Sequence, residues 1–410
     1  MKNIHIVIFS GSHDLNALGA TKSIDVMLVK HLKVNGCKVT WAGRGVLLNP
    51  PCNYYNLGKS KIGELIDRAY NKFRRIFFNT DVQDILFDEY IRFDNMMAAN
   101  IRAGHIFIDD KTVLIGRNVM SLNTFTEVKK KGGKTLLHSQ WMHPYTQDKL
   151  LRKEFNKIGI SKKPIKEYRI KRQLLEIDSV DWIWCISKLV KDSYLSNGVS
   201  ERKLIDLSLG LDFQKYNVVS AKESHSKKEF IILFVGNVNP EKGVHVLLEA
   251  INKSELENIK IIFNGRVPDY FESIFSHHVE ALKHRNISIT VNPGEPLRNY
   301  GAASIFVLPS VHESFGLVVL EAMAAGLPVI VSDMVGAKDC VSKGVNGYVF
   351  SSGNSDELSM MIKKLYNNHE LVDEMGRQST AIAENYDWSL IVAKLLNLIN
   401  TSEIIRDERK

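Results

Sequence analysis

The sequence predicts an α/β protein made of two Rossmann-like domains that face each other across a central cleft. Short apolar runs alternate with helical patterns along the chain, and this alternation is typical of parallel α/β units. A length of 410 residues exceeds what one hydrophobic core usually supports. A polar stretch from Ser220 to Lys228 interrupts the pattern near the middle, and the composition turns acidic after it. We expect ligands at the carboxyl ends of the strands.

The predicted strands are apolar runs of four to six residues that recur in both halves of the chain. In the first half they are Ile4–Phe9, Lys38–Trp41, His105–Ile108, Lys134–His138, Trp182–Ile186 and Leu204–Leu207. In the second half they are Phe230–Val235, Ile259–Phe263, Ile287–Val291, Ser304–Leu308, Val329–Ser332 and Gly347–Phe350. The clearest helical patterns are Ala20–Asn35, Asp81–Asn100, Lys166–Ser179, Ser355–Asn368 and Trp388–Asn400.

The polar stretch sets the expected domain boundaries, with a first domain over 1–215, a linker over 216–229 and a second domain over 230–385. Charge divides unevenly between the halves. Residues 1–228 hold 38 Lys and Arg against 23 Asp and Glu, a balance of +15, whereas the rest hold 16 against 23, a balance of −7, within a net charge of +8. Such asymmetry indicates that an anionic surface or a polyanion faces the first half only.

The densest basic stretch runs from Lys149 to Arg172 and carries ten cations and two acids, interleaved with leucine, isoleucine and phenylalanine. It is either a solvated face or a surface that docks on anionic lipid or on a lipid-linked acceptor. The aromatic and basic modules that bind nucleic acid are missing from the sequence, so we expect no nucleic-acid partner.

Several features predict a cytoplasmic protein, peripheral on the inner face of the cell membrane if the basic half docks there. The four cysteines are widely spaced and form no CxxC pair, which favours idle thiols over a disulfide framework or a metal site. The chain opens directly on the first predicted strand, without a secretory signal. No apolar run approaches the roughly 18 residues that a membrane-spanning helix requires.

The segment from Ser310 to Pro328 carries the strongest functional signal. A predicted strand ends at Pro309, a polar turn follows, and a helix pattern starts at Phe315-Gly316 and stops at Gly326. The amides at the start of such a helix suit a bound phosphate. Glu313 lies in the turn, and Glu321, inside the helix, can accept hydrogen bonds from two vicinal hydroxyls, as on a ribose.

A second motif, Phe234-Val235-Gly236-Asn237-Val238-Asn239-Pro240-Glu241-Lys242-Gly243, follows the first strand of the second half. Together with the Glu313 segment, with Ile186-Ser187-Lys188 and Leu209-Gly210-Leu211-Asp212, and with Asp387-Trp388 before the last helix, it resembles the retaining glycosyltransferases of family 4, group 1 enzymes with the GT-B fold. The resemblance covers most of residues 180–400 and extends over the first 180 only in outline.

The resemblance implies a first domain that binds the acceptor, a second domain that binds a nucleotide sugar, and a crossover helix over 386–410 that returns to the first domain. It implies catalytic roles for His138, Lys242 and Glu313. It also implies a donor site made of Gly19, Gly236, Asn237, Lys242, Arg266, Glu313, Ser314, Phe315, Gly316, Leu317, Val318 and Glu321. In this assignment Glu313 faces the sugar hydroxyls and Glu321 the ribose, while Lys242 stabilises the leaving diphosphate. His143 competes with His138 for its role.

The chain departs from the family at Asn237, where an arginine usually shares the diphosphate with the lysine. Arginine and an uncharged amide are not equivalent at such a position. Arg266 is the nearest candidate to replace the missing charge, and Arg298 and Arg44 are weaker ones.

The implied reaction moves a sugar from a UDP- or GDP-linked donor to a saccharide or lipid-linked acceptor, in the assembly of a bacterial surface polysaccharide, lipopolysaccharide or glycolipid. Asp-x-Asp, the usual metal-binding pair of other transferases, occurs nowhere in the sequence. We therefore expect no metal and no cofactor, with the diphosphate stabilised by a cation and helix-end amides. No side chain is placed as a covalent nucleophile, which suits a front-face transfer. The alternatives are a GT-B nucleotide-sugar epimerase, a phosphorylase and a non-catalytic GT-B binding protein.

Overall fold

The structure is a computed structural model that describes residues 4–10, 20–43, 52–57, 69–75, 81–157, 159, 165–220, 229–282, 285–294 and 296–401. The described residues form two α/β domains, each built around one parallel sheet. The predicted fold class of two Rossmann-like domains is therefore confirmed.

The first sheet has the strand order β3-β2-β1-β4-β5-β6-β7, and its neighbouring strands run parallel. The strands are β1 (His5–Phe9), β2 (Lys38–Gly43), β3 (Asn53–Asn56), β4 (Thr112–Arg117), β5 (Lys134–Ser139), β6 (Trp182–Cys185) and β7 (Leu204–Asp206). The helices of this half are α1 (Ala20–Val34), α2 (Val82–Arg102), α3 (Leu122–Lys130), α4 (Pro144–Lys157), α5 (Glu167–Ser179), α6 (Lys188–Leu195) and α7 (Phe213–Ser220), with a further helical segment over 69–75.

The second sheet has the strand order β10-β9-β8-β11-β12-β13 and is also parallel. Its strands are β8 (Phe230–Val235), β9 (Ile259–Asn264), β10 (Ser288–Val291), β11 (Ile305–Leu308), β12 (Val329–Ser332) and β13 (Gly347–Phe350). Its helices are α8 (Val244–Ser254), α9 (Asp269–Glu280), α10 (Leu297–Ala302), α11 (Leu317–Ala324), α12 (Ser355–Tyr366), α13 (His369–Glu384) and α14 (Trp388–Thr401).

Both sheets reverse their strand order at one place. In the first sheet β1 lies between β2 and β4, and in the second β8 lies between β9 and β11. Helices on either side of such a reversal diverge, which leaves a crevice at the carboxyl ends of the two central strands, where ligands of open α/β sheets bind. Strands beside the reversals, such as β11 and β4, are buried along their whole length because helices cover both faces.

The predicted strand His105–Ile108 is wrong. Those residues follow the end of α2, and the chain forms its strand at Thr112–Arg117 instead. The Thr112 hydroxyl donates to Asp109 Oδ1 at 2.6 Å and closes a turn ahead of β4. Ile106 and Ile108 are buried, which explains why their alternation resembled a strand. Strand β3, polar and mostly exposed, and helix α13 were not predicted.

The last helix crosses back to the first domain, where α14 packs against α1. Two backbone hydrogen bonds hold the crossing point: Leu211 N donates to Tyr386 O at 2.9 Å, and Trp388 N donates to Leu211 O at 3.1 Å. Trp388 is buried against Gly210. The linker was expected over residues 216–229. Residues 216–220 belong to α7 instead, and residues 221–228 lie outside the described ones.

Many side chains of the basic stretch from Lys149 to Arg172 pair with acids or pack in the core. Five of its described cations form ion pairs: Arg152 with Asp148, Lys157 with Glu154, Lys166 with Asp84, Lys171 with Glu167 and Arg172 with Asp94. Its apolar residues Leu151, Phe155, Ile165 and Ile170 are buried. These four side chains therefore pack inside the protein and are not available to contact lipid, and Ile158 and Ile160 lie outside the described residues.

Candidate functional site

The loop after β8 positions Lys242. Gly236, Asn237 and Val238 leave the strand, and the Asn239 side chain then accepts a hydrogen bond from Lys242 N at 3.1 Å, which caps the short turn Pro240–Lys242. Gly243 follows with φ 66°, a conformation that only glycine adopts without strain. A side chain at Gly243 would also collide with the carbonyl oxygen of Pro309, so the loop lies directly on the end of β11.

The turn between β11 and α11 positions Glu313. Its backbone is held by the segment after β12: Glu313 N donates to Met334 O at 3.0 Å, and Gly336 N donates to Glu313 O at 2.9 Å. The neighbouring Phe315 is buried, and its carbonyl accepts from Ala337 N at 2.7 Å. The turn is therefore fixed on both sides of the Glu313 side chain.

Lys242 Nζ and Glu313 Oε2 form an ion pair between these two loops. Both side chains are partly accessible, with 24% and 20% of their surface exposed. A backbone hydrogen bond from Val311 N to Glu241 O, at 3.0 Å, lies beside the pair. Because β8 and β11 are the strands at which the sheet reverses, the pair lies at the predicted ligand-binding crevice of the second domain.

Helix α11 presents its first turn and one carboxylate to this region. Gly316 precedes the helix, and Leu317 and Val318 form its first turn, half-buried. The first amides of a helix lack intrahelical acceptors and carry partial positive charge. Glu321, one turn further on, accepts a hydrogen bond from the buried Tyr300 hydroxyl at 2.8 Å. Tyr300 therefore fixes the carboxylate through one oxygen.

Asn237 and Arg266 both have exposed side chains on neighbouring loops. Val238 N donates to Arg266 O at 2.9 Å, and Gly236 N donates to Asn264 O at 3.1 Å, so the loops after β8 and β9 are joined through their backbones. This arrangement brings the backbone of Arg266 next to the loop that carries Asn237. Arg298, on α10, is also exposed, and Arg44 lies outside the described residues.

His138 lies in the first domain, near the end of β5, and is fully buried. Arg117 Nη1 lies 2.6 Å from His138 Nδ1, and the imidazole stacks on Trp184 with ring centroids 4.2 Å apart. Burial, together with the Arg117 charge, lowers the pKa of His138 far below its usual value, so the ring is neutral. The competitor His143 is also buried, and burial lowers its pKa to about 4.

The two domains meet beside the turn between β11 and α11. Ser187 Oγ, at the start of α6, donates to Ser314 O at 2.6 Å and so contacts the turn that carries Glu313. His245 Nε2, on α8, lies 3.0 Å from Glu154 Oε1 on α4. Helix α4 thus packs against the Lys242 loop of the other domain.

Of the other predicted residues, one lies in the first domain and one is not described. Gly19 lies outside the described residues, and His138 belongs to the opposite domain.

Among the described residues, no group of three or more His, Cys, Asp or Glu side chains is arranged to hold a metal ion. No helix of the described part is long and apolar enough to cross a membrane.

Sequence reasoning missed Tyr300 and His312. Tyr300 is an ordinary aromatic residue in a short helix, and only the packing of α10 on α11 reveals its contact with Glu321. His312 precedes Glu313, and burial lowers its pKa to about 4, so it adds a neutral ring to the turn. Its position next to Glu313 is the sequence feature that could have identified His312 as part of the site.

The second domain matches a known family. Residues 217–381 match the model of glycosyl transferases group 1. The capsular polysaccharide biosynthesis glycosyltransferase CapM of Staphylococcus aureus is 28% identical over 232 residues, which cover 53% of this chain and 61% of CapM. The phosphatidyl-myo-inositol mannosyltransferase of Mycobacterium leprae is 26% identical over 174 residues, covering 42% and 46%. The matched regions span about half the length of the curated relatives.

Solved structures match over nearly the whole chain. Sucrose-phosphate synthase of Thermosynechococcus elongatus superposes with a TM-score of 0.73 at 17% identity, covering 96% of this chain and 98% of that one. HepE of Anabaena, in complex with UDP-glucose, superposes with a TM-score of 0.67 at 13% identity, covering 97% and 100%. The chain has the GT-B fold. Within it, the Lys242 and Glu313 loops and α11 all belong to the domain that matches the group 1 model.

We expect Gly243→Ala to destabilise the protein by more than its left-handed backbone conformation alone would cost. Gly344 is the matched control, because its φ is 79° and a side chain there would meet nothing within 4 Å. Gly344→Ala should cost about 1 kcal/mol of unfolding free energy for the left-handed conformation. Gly243→Ala should cost at least about 2 kcal/mol more, because its Cβ displaces the Pro309 carbonyl.

Urea unfolding of both variants measures the difference. Equal losses of stability would contradict the close packing of the Lys242 loop on β11.

Proposed function

We propose that the protein is a retaining glycosyltransferase of family 4. In this proposal it transfers a sugar from a UDP- or GDP-linked donor to a saccharide or lipid-linked acceptor, without a metal ion. The observation that carries the proposal is the Lys242–Glu313 pair at the strand-order reversal, beside the first turn of α11. A sugar diphosphate requires a cation and helix-start amides for its phosphates, and a carboxylate for its sugar hydroxyls.

Each group has a separate task in the proposed reaction. Lys242 and the amides of Leu317 and Val318 stabilise the charge that develops on the leaving diphosphate. Glu313 accepts hydrogen bonds from the sugar hydroxyls, and Glu321, oriented by Tyr300, accepts from the ribose. The acceptor oxygen attacks from the side of the departing diphosphate, and a diphosphate oxygen takes its proton. We place His138, which belongs to the first domain, next to the donor sugar.

The related proteins support the substrate class. CapM is named for capsular polysaccharide biosynthesis, and the HepE structures contain UDP or UDP-glucose. Lipopolysaccharide enzymes also share the fold, among them the outer core galactosyltransferase WaaB, with a TM-score of 0.64 at 15% identity. We therefore propose a role in the assembly of a bacterial surface polysaccharide or glycolipid.

Lys242→Ala and Glu321→Gln should separate catalysis from donor binding. Lys242→Ala removes a charge that stabilises the transition state, so turnover should fall by about 10²–10³. Glu321→Gln weakens a charge-assisted contact to the nucleotide, so donor affinity should fall by roughly tenfold or more with a smaller effect on turnover. Steady-state kinetics with UDP- and GDP-sugars, after a thermal-shift screen of donors, give both quantities.

Lys253→Ala is the control for the lysine, because Lys253 pairs with Glu249 and Asp356 at the far end of α8. Near-native kinetics of Lys242→Ala and Glu321→Gln would remove the donor assignment. Activity should persist in EDTA. Conversion of the donor sugar without any acceptor would instead identify an epimerase.

Arg266→Ala tests what replaces the family arginine at Asn237. If Arg266 neutralises the diphosphate, its loss should weaken donor binding by about tenfold, the usual effect of one charge-assisted contact. Arg298→Ala is the comparison, since Arg298 is also exposed and lies on α10. Donor titration by calorimetry decides between them, and an effect confined to Arg298→Ala would exclude Arg266.

We also propose that the basic first half associates electrostatically with an anionic membrane surface. Lys149 and Lys153 are exposed, one turn apart on α4. Reversing both to Glu should lower binding to anionic vesicles at least about tenfold, since each basic residue near such a surface contributes about 1 kcal/mol. Cosedimentation with neutral and anionic vesicles measures this. Equal binding of the native protein to both kinds would refute it.

A further inference from the structure

A row of buried polar groups crosses the first domain at the carboxyl ends of its strands. Arg117 on β4, His138 on β5 and Trp184 on β6 are paired across the sheet and therefore point to the same face. Asp25, on α1, completes the row through an ion pair with Arg117 Nη2. The ionic side chains are almost fully enclosed, with 5% of Arg117 and 3% of Asp25 exposed.

This row determines which nitrogen of His138 carries the proton. A guanidinium has only hydrogen-bond donors, so the contact of 2.6 Å obliges His138 Nδ1 to accept. A neutral imidazole whose Nδ1 accepts must hold its hydrogen on Nε2. Trp184, stacked on the ring, fixes its plane. Nε2 is buried and has no hydrogen-bond partner among the described residues.

The row also lies next to a strained loop. Val119, two residues beyond Arg117, has φ 77°, which is unfavourable for a β-branched side chain. Buried Glu176 accepts from Val119 N at 2.5 Å and from Ser121 N at 2.8 Å, and Arg172 Nε donates to Val119 O at 2.7 Å. Strain of this kind persists only where surrounding contacts enforce it, and it concentrates at functional sites.

This loop follows β4, one of the two strands at which the first sheet reverses its order. The residues after β4 therefore border the crevice of the first domain, as Lys242 borders that of the second. His138 Nε2 is a buried donor without an acceptor among the described residues, and it lies near the loop that borders this crevice. Such a donor is arranged to meet an oxygen atom of a ligand.

We propose that Arg117, held by Asp25, is a positioning residue that fixes His138 as the Nε2–H tautomer, so that His138 acts on the bound sugar as a hydrogen-bond donor and not as a general base. The contact with the sugar rests on the proposed function, whereas the tautomer does not. Asp25 orients the guanidinium and balances its charge within the core. The ligand group would be a sugar hydroxyl or a phosphate oxygen.

The tautomer can be measured directly in the native protein. In ¹⁵N-histidine-labelled protein at pH 7, His138 should show a protonated Nε2 and an unprotonated Nδ1, with its signals assigned by their loss in His138→Gln. UDP-glucose or GDP-mannose, whichever raises the melting temperature, should shift the Nε2–H resonance. A protonated Nδ1 in the native protein would overturn the proposal.

Arg117→Met removes the donor to Nδ1, so His138 should become a mixture of both tautomers, and Arg117→Lys should restore the Nε2–H form. Arg172→Met is the comparison, because it breaks a second, partly buried Arg–Asp pair and releases the Val119 carbonyl without removing the donor to His138 Nδ1, so the tautomer should stay unchanged. An unchanged tautomer in Arg117→Met, in protein that still melts cooperatively, would show that Arg117 is merely structural.

Turnover measurements distinguish a hydrogen-bond donor at position 138 from a general base. His138→Gln keeps an N–H group near the Nε2 position and should retain turnover within about tenfold, whereas His138→Phe should lose about 10²-fold. Equal losses in both variants would contradict the donor role. Absence of turnover and of nucleotide-sugar binding in the native protein would reject the proposed function and the sugar contact, and the tautomer measurements would still decide the role of Arg117.

Discussion

The contact between Gly243 and the Pro309 carbonyl is the constraint on which the candidate site of the second domain depends. It brings the loop after β8 onto the end of β11, and only a residue without a side chain allows that approach. Lys242 precedes Gly243, so the contact also places its ammonium group against Glu313. The remaining features of the site, the start of α11 and the Tyr300–Glu321 hydrogen bond, are built on β11 and its following helix.

Much of the architecture could be predicted because buried parallel strands are nearly continuous apolar runs, as Phe230–Val235 is. The same signal failed at His105–Ile108, where isoleucines buried after a helix imitate a strand. It also failed at the exposed strand Asn53–Asn56, whose polar residues carry no apolar pattern. Burial in a turn and burial in a sheet are indistinguishable from composition alone.

The motifs predicted candidate site residues but not the contacts between them. Lys242 and Glu313 are 71 residues apart, and their meeting depends on the strand order that places β8 beside β11. The role of Arg117 could not be predicted, because residue type alone does not distinguish a buried arginine from an exposed one. The same limit applies to the charge count of the first half: the excess of +15 is a sum over the sequence, whereas described cations such as Arg172 and Lys166 are neutralised by neighbouring acids.

The Lys242–Glu313 pair has a consequence for which anions the site accepts. Lys242 and Glu313 satisfy each other's charge, so an incoming anion must compete with a carboxylate to reach the lysine. A small anion such as inorganic phosphate would take the lysine and leave Glu313 partly buried without a cation, which is energetically costly. On the proposed function, a sugar diphosphate offers an anionic group and hydroxyl donors within one molecule and can satisfy both partners at once. On that proposed function, the exchange would favour a sugar diphosphate over abundant simple anions.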